Sequence, residues 1–239
     1  MLKIFNDKLQ LASAFCEKLF QLSNEKDKLF LALSGGSSPK IIFQLLAKEY
    51  RNKINWNKIH LFWGDERCVP PDDDESNYGM TKKNLLSYID IPEENIHRIK
   101  GENNPETEAA SYSDEINNTV TPKNGLPCFD LLMLGIGEDG HTASIFPDQM
   151  DLFKSVKICD VAVQPSTSQK RITLTGTVIN NAERIIFVVT GKKKAGIIRE
   201  IMEGGNSKTQ KYPAANIKPV NGTLDFFMDS DAAELLTIT

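Results

Sequence analysis

The chain has 239 residues, 40% hydrophobic and 25% charged, with a net charge of -4. That length allows a sizeable core, in one large α/β domain or two small ones. The acidic balance without a basic tract argues against a nucleic-acid binder, no apolar run is long enough to span a membrane, and the N-terminus enters an amphipathic pattern instead of a signal peptide.

Asp7 to Ser23 carries Leu11, Phe15, Leu19 and Leu22 on one helical face and predicts a packing helix. Lys28 to Leu33 predicts a strand, which runs into Ser34-Gly35-Gly36-Ser37-Ser38-Pro39 and a helix bearing Ile42, Leu45 and Leu46. Ser38 can cap that helix and Pro39 suits its first position. The glycines free backbone N–H groups to converge on an anion at the positive end of the helix dipole, and phosphate is the natural guest. A plain Gly-Ser turn capping a helix is the competing reading. No Gly-x-x-x-x-Gly-Lys-Ser/Thr loop is present.

A second strand, Lys58 to Trp63, ends in Gly64-Asp65-Glu66-Arg67. Polar residues just past an apolar run mark a strand tip. Asp65 can orient a histidine or hold a sugar hydroxyl, and Arg67 can bind phosphate. Asp72, Asp73, Asp74 and Glu75 lack the glycine and spacing of a calcium loop and read as a solvated acidic loop. Helices are expected at Asn77 to Ile89 and Glu106 to Asn117, then a turn-rich stretch from Thr121 to Pro127. The cysteines Cys16, Cys68, Cys128 and Cys159 are scattered singly, which fits reduced thiols in the cytosol and no zinc site.

The most informative stretch is Phe129 to Pro147. Phe129 to Leu134 is a near-continuous apolar run, expected of a strand buried on both faces. Gly135, Gly137 and Gly140 follow, permitting tight turns and close approach of a ligand to the backbone. Asp139 and His141 sit within that turn, at a strand tip, where open α/β sheets bind ligands. His141 is the best chemical candidate in the sequence. The Gly135-x-Gly137-x-x-Gly140 spacing also satisfies a dinucleotide fingerprint, with Asp160 near the distance of a ribose-binding acid. Against that, the helix that should follow is confined to His141 to Phe146 and stopped by Pro147.

Further strands are expected at Val156 to Val163, Arg171 to Thr175, Arg184 to Val189 and Thr223 to Met228. Short helices are expected at Gly176 to Ala182 and Asp231 to Leu236. Thr190-Gly191-Lys192-Lys193-Lys194-Ala195 opens a helix running to Met202, and its lysines lie at a strand-to-helix switch suited to phosphate, or simply on a surface turn. Tyr212-Pro213-Ala214-Ala215 lies between that helix and the last strand. Strands alternating with helices give an α/β fold with a mostly parallel central sheet.

Five motifs stand in order: Gly35-Gly36-Ser37-Ser38-Pro39; Gly64 to Pro70 with Ser76-Asn77; Gly135 to Pro147; Arg171-Ile172-Thr173; and Gly191-x-x-Lys194-Ala195. Together they resemble the 6-phosphogluconolactonase family, of the superfamily shared with glucosamine-6-phosphate isomerase/deaminase. The resemblance covers about Leu31 to Pro219. It implies a single Rossmann-like domain over residues 1–239 and a cytosolic pentose-phosphate enzyme that opens its lactone without a metal or cofactor. Ser38 stands where the family usually has Thr, and Phe226-Phe227 replaces a common tryptophan. The isomerase/deaminase branch resembles Asp-Gly-His-Ile-Ala-Phe-Asn-Glu-Pro, with a carboxylate that assists ring opening; Phe146-Pro147 lacks it, which favours the lactonase.

Opening a δ-lactone needs an activated water, a stabilised oxyanion and a proton for the departing ring oxygen. An imidazole, with a reference pKa near ~6.5, can take and return that proton, which casts His141 as general base. Asp139 or Asp65 can fix its tautomer. Backbone N–H groups of the glycine turns can hold the oxyanion. No Ser lies in a Gly-x-Ser-x-Gly elbow, so no acyl-enzyme is expected. Gly35, Gly36, Ser37, Arg171 and Lys194 are the expected ligands of a sugar-phosphate lactone, with Arg67 a further candidate. A monomer or weak homo-oligomer is expected. A sugar-phosphate isomerase/deaminase and a non-catalytic sugar-phosphate sensor are the alternatives; no helix-turn-helix accompanies the domain to support the latter.

Overall fold

The computed structural model describes residues 1–205 and 209–237. β1 (Leu2–Phe5) leads into α1 (Lys8–Glu25), and β2 (Leu29–Leu33) into α2 (Ser37–Leu45). β3 (Ile59–Trp63) is followed by β4 (Asp65–Arg67), α3 (Asn77–Asn84), β5 (Ile96–His97) and α4 (Pro105–Thr119). The two-residue strands β6 (Pro122–Lys123) and β7 (Leu126–Pro127) precede β8 (Leu131–Leu134). Then come β9 (Cys159–Val163), β10 (Lys170–Leu174), α5 (Gly176–Ile179), β11 (Arg184–Val189), α6 (Ala195–Glu203) and β12 (Thr223–Asp229), with a last helical turn at Ser230–Ala233.

The main sheet has seven strands in the order β1-β12-β11-β8-β2-β3-β5, and every neighbouring pair is parallel. Its central strands β8, β2 and β3 are buried along their whole length, which is why they read as unbroken apolar runs. Asp7 starts α1 by accepting the N–H groups of Leu9 and Gln10. The predicted face, Leu11, Phe15, Leu19 and Leu22, is fully buried, and each such side chain contributes roughly 1.5–3 kcal/mol. From β2 the chain winds outward through β3 and β5, then returns to β8 on the other side of β2. That reversal makes a crevice at the carboxyl ends of β2 and β8, the place where open α/β sheets take ligands.

A second, antiparallel sheet, β4-β10-β9, lies beyond the tip of β3. Gly64 joins the two: its N–H donates to Leu33 O at 2.8 Å and its carbonyl accepts the N–H of Leu174 at 2.8 Å. This sheet brings Arg67 opposite Arg171.

Several boundaries differ from those expected. α3 stops at Asn84, since Leu85 leaves helical geometry at φ -138°, and a separate turn covers Leu86–Tyr88. The strand expected from Val156 begins at Cys159; Val156 itself is 92% exposed. His141 to Phe146 forms no helix. Thr142 and Ile145 bridge instead, around Ala143 at φ 48°, so the dinucleotide fingerprint lacks the helix it needs. At the opposite end of the strands Lys26 pairs with Asp130 and Glu183; Asp130 also accepts the N–H of Phe30 at 2.7 Å, so these charges fasten β8 to β2. No described helix is long and apolar enough to cross a membrane.

Candidate active site

The crevice is a cleft of about 210 Å³. One wall is the turn from β2 into α2. Gly36, the N-cap of α2, has φ 104°, in the region that only glycine enters freely. Ser38 does not cap. It is the second residue of the helix, and its Oγ lies 2.6 Å from Thr190 Oγ1; Pro39 is accordingly third and not first. With no side chain on the cap, the first N–H groups of α2 remain free to bind an anion.

The opposite wall is the turn after β8. The N–H of Gly137 donates to His141 O at 2.8 Å, and the N–H of Gly140 to Gly137 O at 3.1 Å. Asp139 Oδ1 accepts the N–H of His141 at 3.1 Å and lies 2.6 Å from its Nδ1. Gly137 is required by close approach: a Cβ there would stand 2.0 Å from His141 Nδ1. Burial opposes ionisation of Asp139, but the hydrogen bond and charge of His141 outweigh it and bring the carboxyl from 3.8 down to about 2. An ionised carboxylate only accepts hydrogen bonds, so Nδ1 carries a proton, and in the neutral imidazole the lone pair is on Nε2. The His141 side chain is 28% exposed, and its ring rests on Phe146 at 4.9 Å.

Both carboxylates were candidates to orient the imidazole, and the geometry separates them. Asp139 touches His141. Asp65 faces the cleft from β4, where its Oδ2 accepts the Ser144 hydroxyl at 2.6 Å and its carbonyl accepts Asn77 Nδ2 at 2.9 Å. Glu66, between Asp65 and Arg67, points away into the start of α3. It accepts the N–H groups of Arg67, Asn77 and Tyr78 and the Ser76 hydroxyl. Burial raises its pKa against those hydrogen bonds. It thereby fixes the strand on which Asp65 and Arg67 face the cleft.

Three cations meet at the cleft. Arg67 and Arg171 are cross-strand neighbours, and Lys194 ends the turn before α6. Arg67 Nη1 donates to Glu75 O at 2.6 Å, while its buried Nε has no partner among the described residues. Arg171 stacks 5.6 Å above the Phe146 ring. Burial, then the charge of Arg67, lowers the Arg171 pKa. Burial also lowers that of Lys194, against the pull of Glu138 and Asp139. Among the described residues no carboxylate forms an ion pair with any of the three. Converging cations that no carboxylate contacts directly make a site for a multiply charged anion.

Of the residues read from sequence, Gly35, Gly36, Ser37, Asp65, Arg67, His141, Arg171 and Lys194 line the cleft, and Asp139 stands behind His141. Asn77, Ala143, Thr190, Val188 and Val189 line it too and were not read as site residues. Asn77 carried the one available signal, a polar residue directly after the Ser76 cap of α3. The acidic loop from Asp72 to Glu75 lies outside the cleft, and among the described residues no group of three or more His, Cys, Asp or Glu is placed to hold a metal.

The family described as glucosamine-6-phosphate isomerases/6-phosphogluconolactonase matches residues 8–226. The chain is 46% identical over 207 residues to a 6-phosphogluconolactonase of Haemophilus influenzae, covering 86% of this chain and 87% of that one. It superimposes on a crystal structure titled as a devB protein with TM-score 0.94 and 40% identity over 98% of each chain. It also superimposes on the 6-phosphogluconolactonase of Trypanosoma brucei, with TM-score 0.86 and 27% identity over 99% of this chain and 98% of that one.

Proposed function

This chain belongs to the family of glucosamine-6-phosphate isomerases and 6-phosphogluconolactonases, and from that premise we propose how its cleft hydrolyses 6-phospho-D-glucono-1,5-lactone to 6-phospho-D-gluconate. The activity is that of its relatives. The observation that carries the mechanism is the His141–Asp139 pair, 2.6 Å apart, on the wall of a cleft holding three unpaired cations.

The phosphate takes Arg67, Arg171, Lys194 and the N-terminus of α2, and places the ring against the turn after β8. His141 Nε2 removes a proton from a water, whose oxygen attacks C1. The carbonyl electrons move to an oxyanion held by backbone N–H groups of the glycine turns. As the tetrahedral intermediate collapses, the bond from C1 to the ring oxygen breaks, and the imidazolium returns its proton to that oxygen. Asp139 stabilises the imidazolium without taking the proton. Asp65, fixed by Ser144 and Asn77, is placed to hold a hydroxyl of the sugar.

The deaminase alternative needs a carboxylate where this chain has Phe146. That side chain is 1% exposed and packed between the His141 and Arg171 side chains, so the position supplies an apolar support to the base and no second acid. We propose a single functional domain over residues 1–239, working as a monomer or weak homo-oligomer; the family match over residues 8–226 supports the single domain. The four free cysteines support a reducing, cytosolic setting.

Lys194→Ala tests the phosphate assignment. The phosphate does not change during ring opening, so contacts to it act as uniform binding except where they also position the ring. KM for the phosphorylated lactone should rise on the order of tenfold, as expected for one charge-assisted hydrogen bond of ~1.5–3 kcal/mol. Preference over unphosphorylated gluconolactone should shrink equally. Equal losses of kcat/KM on both lactones would remove Lys194 from the phosphate site.

The pH dependence follows from Asp139. Its carboxyl binds a proton less tightly folded, at about 2, than unfolded, near 3.8. The pair's contribution to stability is therefore full above ~pH 4 and lost as pH falls toward 2. Asp139→Asn should lower the kcat/KM plateau, because the imidazolium formed during turnover loses its counter-charge. An unchanged plateau in the variant would show that Asp139 does not act on the base.

A further inference from the structure

Tyr212-Pro213-Ala214-Ala215 has no part in the chemistry above, yet it touches the catalytic turn from outside. The N–H of Ala214 donates to Gly140 O at 3.0 Å. The Tyr212 ring lies so close to Gly140 that a Cβ there would stand 2.5 Å from Tyr212 Cδ1. The Tyr212 hydroxyl donates to the carboxylate of Glu200. Glu200 is on α6, the helix that begins directly after Lys194. Tyr212 is thus one largely buried side chain, 9% exposed, in contact with the elements that carry both His141 and Lys194. The hydrogen bonds within the turn, from Gly137 to His141 O and from Gly140 to Gly137 O, fix its shape but do not tie it to α6.

Resting on the assignment of His141 as base and Lys194 as phosphate ligand, we propose that Tyr212 is a positioning residue that sets the separation between the two ends of the substrate site. Its ring seats the turn that carries His141. Its hydroxyl, through Glu200, ties that turn to the helix that follows Lys194. The physical reason is that a remote phosphate raises kcat only if its anchor stands at a fixed distance from the reacting carbon. With the tie cut, the phosphate still binds, but the ring is no longer held over Nε2. An unphosphorylated lactone does not use the anchor and is indifferent to the tie.

The test compares kcat and KM for 6-phosphogluconolactone and unphosphorylated gluconolactone in four variants. Tyr212→Phe keeps the ring against Gly140 and removes only the hydroxyl. Its kcat on the phosphorylated lactone should fall on the order of tenfold with KM within about twofold, and kcat/KM on the unphosphorylated lactone should stay within about twofold. Glu200→Ala should reproduce this pattern. Glu200→Gln, whose amide carbonyl accepts the same hydrogen bond, should keep wild-type values. Tyr212→Ala removes the seat as well, so both lactones should lose rate and the His141 imidazole NMR signals should shift. The proposal is overturned if Tyr212→Phe and Glu200→Ala change both substrates equally, change neither, or raise KM alone. His141→Ala and Lys194→Ala, measured beside them, separate the two levels. If those lose activity as expected while Tyr212→Phe matches wild type, only the role of Tyr212 falls; if they match wild type, the underlying mechanism falls with it.

Discussion

His141→Ala should lower kcat for 6-phosphogluconolactone by roughly a hundredfold to ten-thousandfold, the range expected when general acid–base help is removed. Among the described residues lining the cleft, the imidazole is the one titratable side chain that the turn after β8 supplies, and its orientation is fixed from behind by Asp139 at 2.6 Å. Stability should change little. The side chain is partly exposed and is not a core strut, although it leaves one face of the Phe146 ring uncovered. The lactone opens spontaneously, so the variant must be measured against the protein-free rate. A variant within tenfold of wild type, once that background is subtracted, would place the base elsewhere.

Gly137→Ala should cost on the order of a hundredfold without altering a single catalytic side chain. The added Cβ would lie 2.0 Å from His141 Nδ1, 2.3 Å from Cε1 and 2.5 Å from Asp139 Oδ1. No real Cβ sits that close, so the imidazole and carboxylate must separate or swing together out of place. Displacing a reacting group by about 1 Å is enough for a hundredfold loss. The backbone at Gly137 is not left-handed, so alanine meets no conformational barrier there and the damage is confined to the pair. The expected result is a fall in kcat together with a shifted His141 imidazole resonance, in a protein that unfolds near the wild-type temperature. Full activity would mean that the 2.6 Å hydrogen bond is not needed for turnover.

The parts of this molecule legible in its sequence are those where one local rule decides. β2, β3 and β8 are buried on both faces, so burial alone marks them. Asp7 and the Leu11-Phe15-Leu19-Leu22 face mark α1 in the same way. β1 and β5 were not legible because they lie at the sheet edges, with four and two residues. β4 was not legible because Asp65-Glu66-Arg67 is all charge. It is extended because Glu66 plugs into the start of α3 and β10 pairs alongside, both long-range facts. The same holds for the site. Gly-rich turns at strand tips pointed to Gly35, Gly36, Ser37, Asp139 and His141. Choosing Asp139 over Asp65 required the fold, since only the register of β4 shows that Asp65 is committed to Ser144 and Asn77. Asn77 gave only the weak sign of following a helix cap, and Thr190 gave none, because what brings both to the cleft is the packing of α3 and β11 against α2. Ser38 misled for a simpler reason: the helix starts one residue before it, so it sits inside the first turn and bonds Thr190 instead.

The most direct test is an NMR time course of fresh 6-phosphogluconolactone, with and without a catalytic amount of the protein, beside a matched tube of glucosamine 6-phosphate. The account predicts that the lactone signal decays well faster than its spontaneous opening, with 6-phosphogluconate appearing in equal amount, while the amino sugar is unchanged and no ammonia is released. Lactone decay at the spontaneous rate, or conversion of glucosamine 6-phosphate in its place, would contradict it.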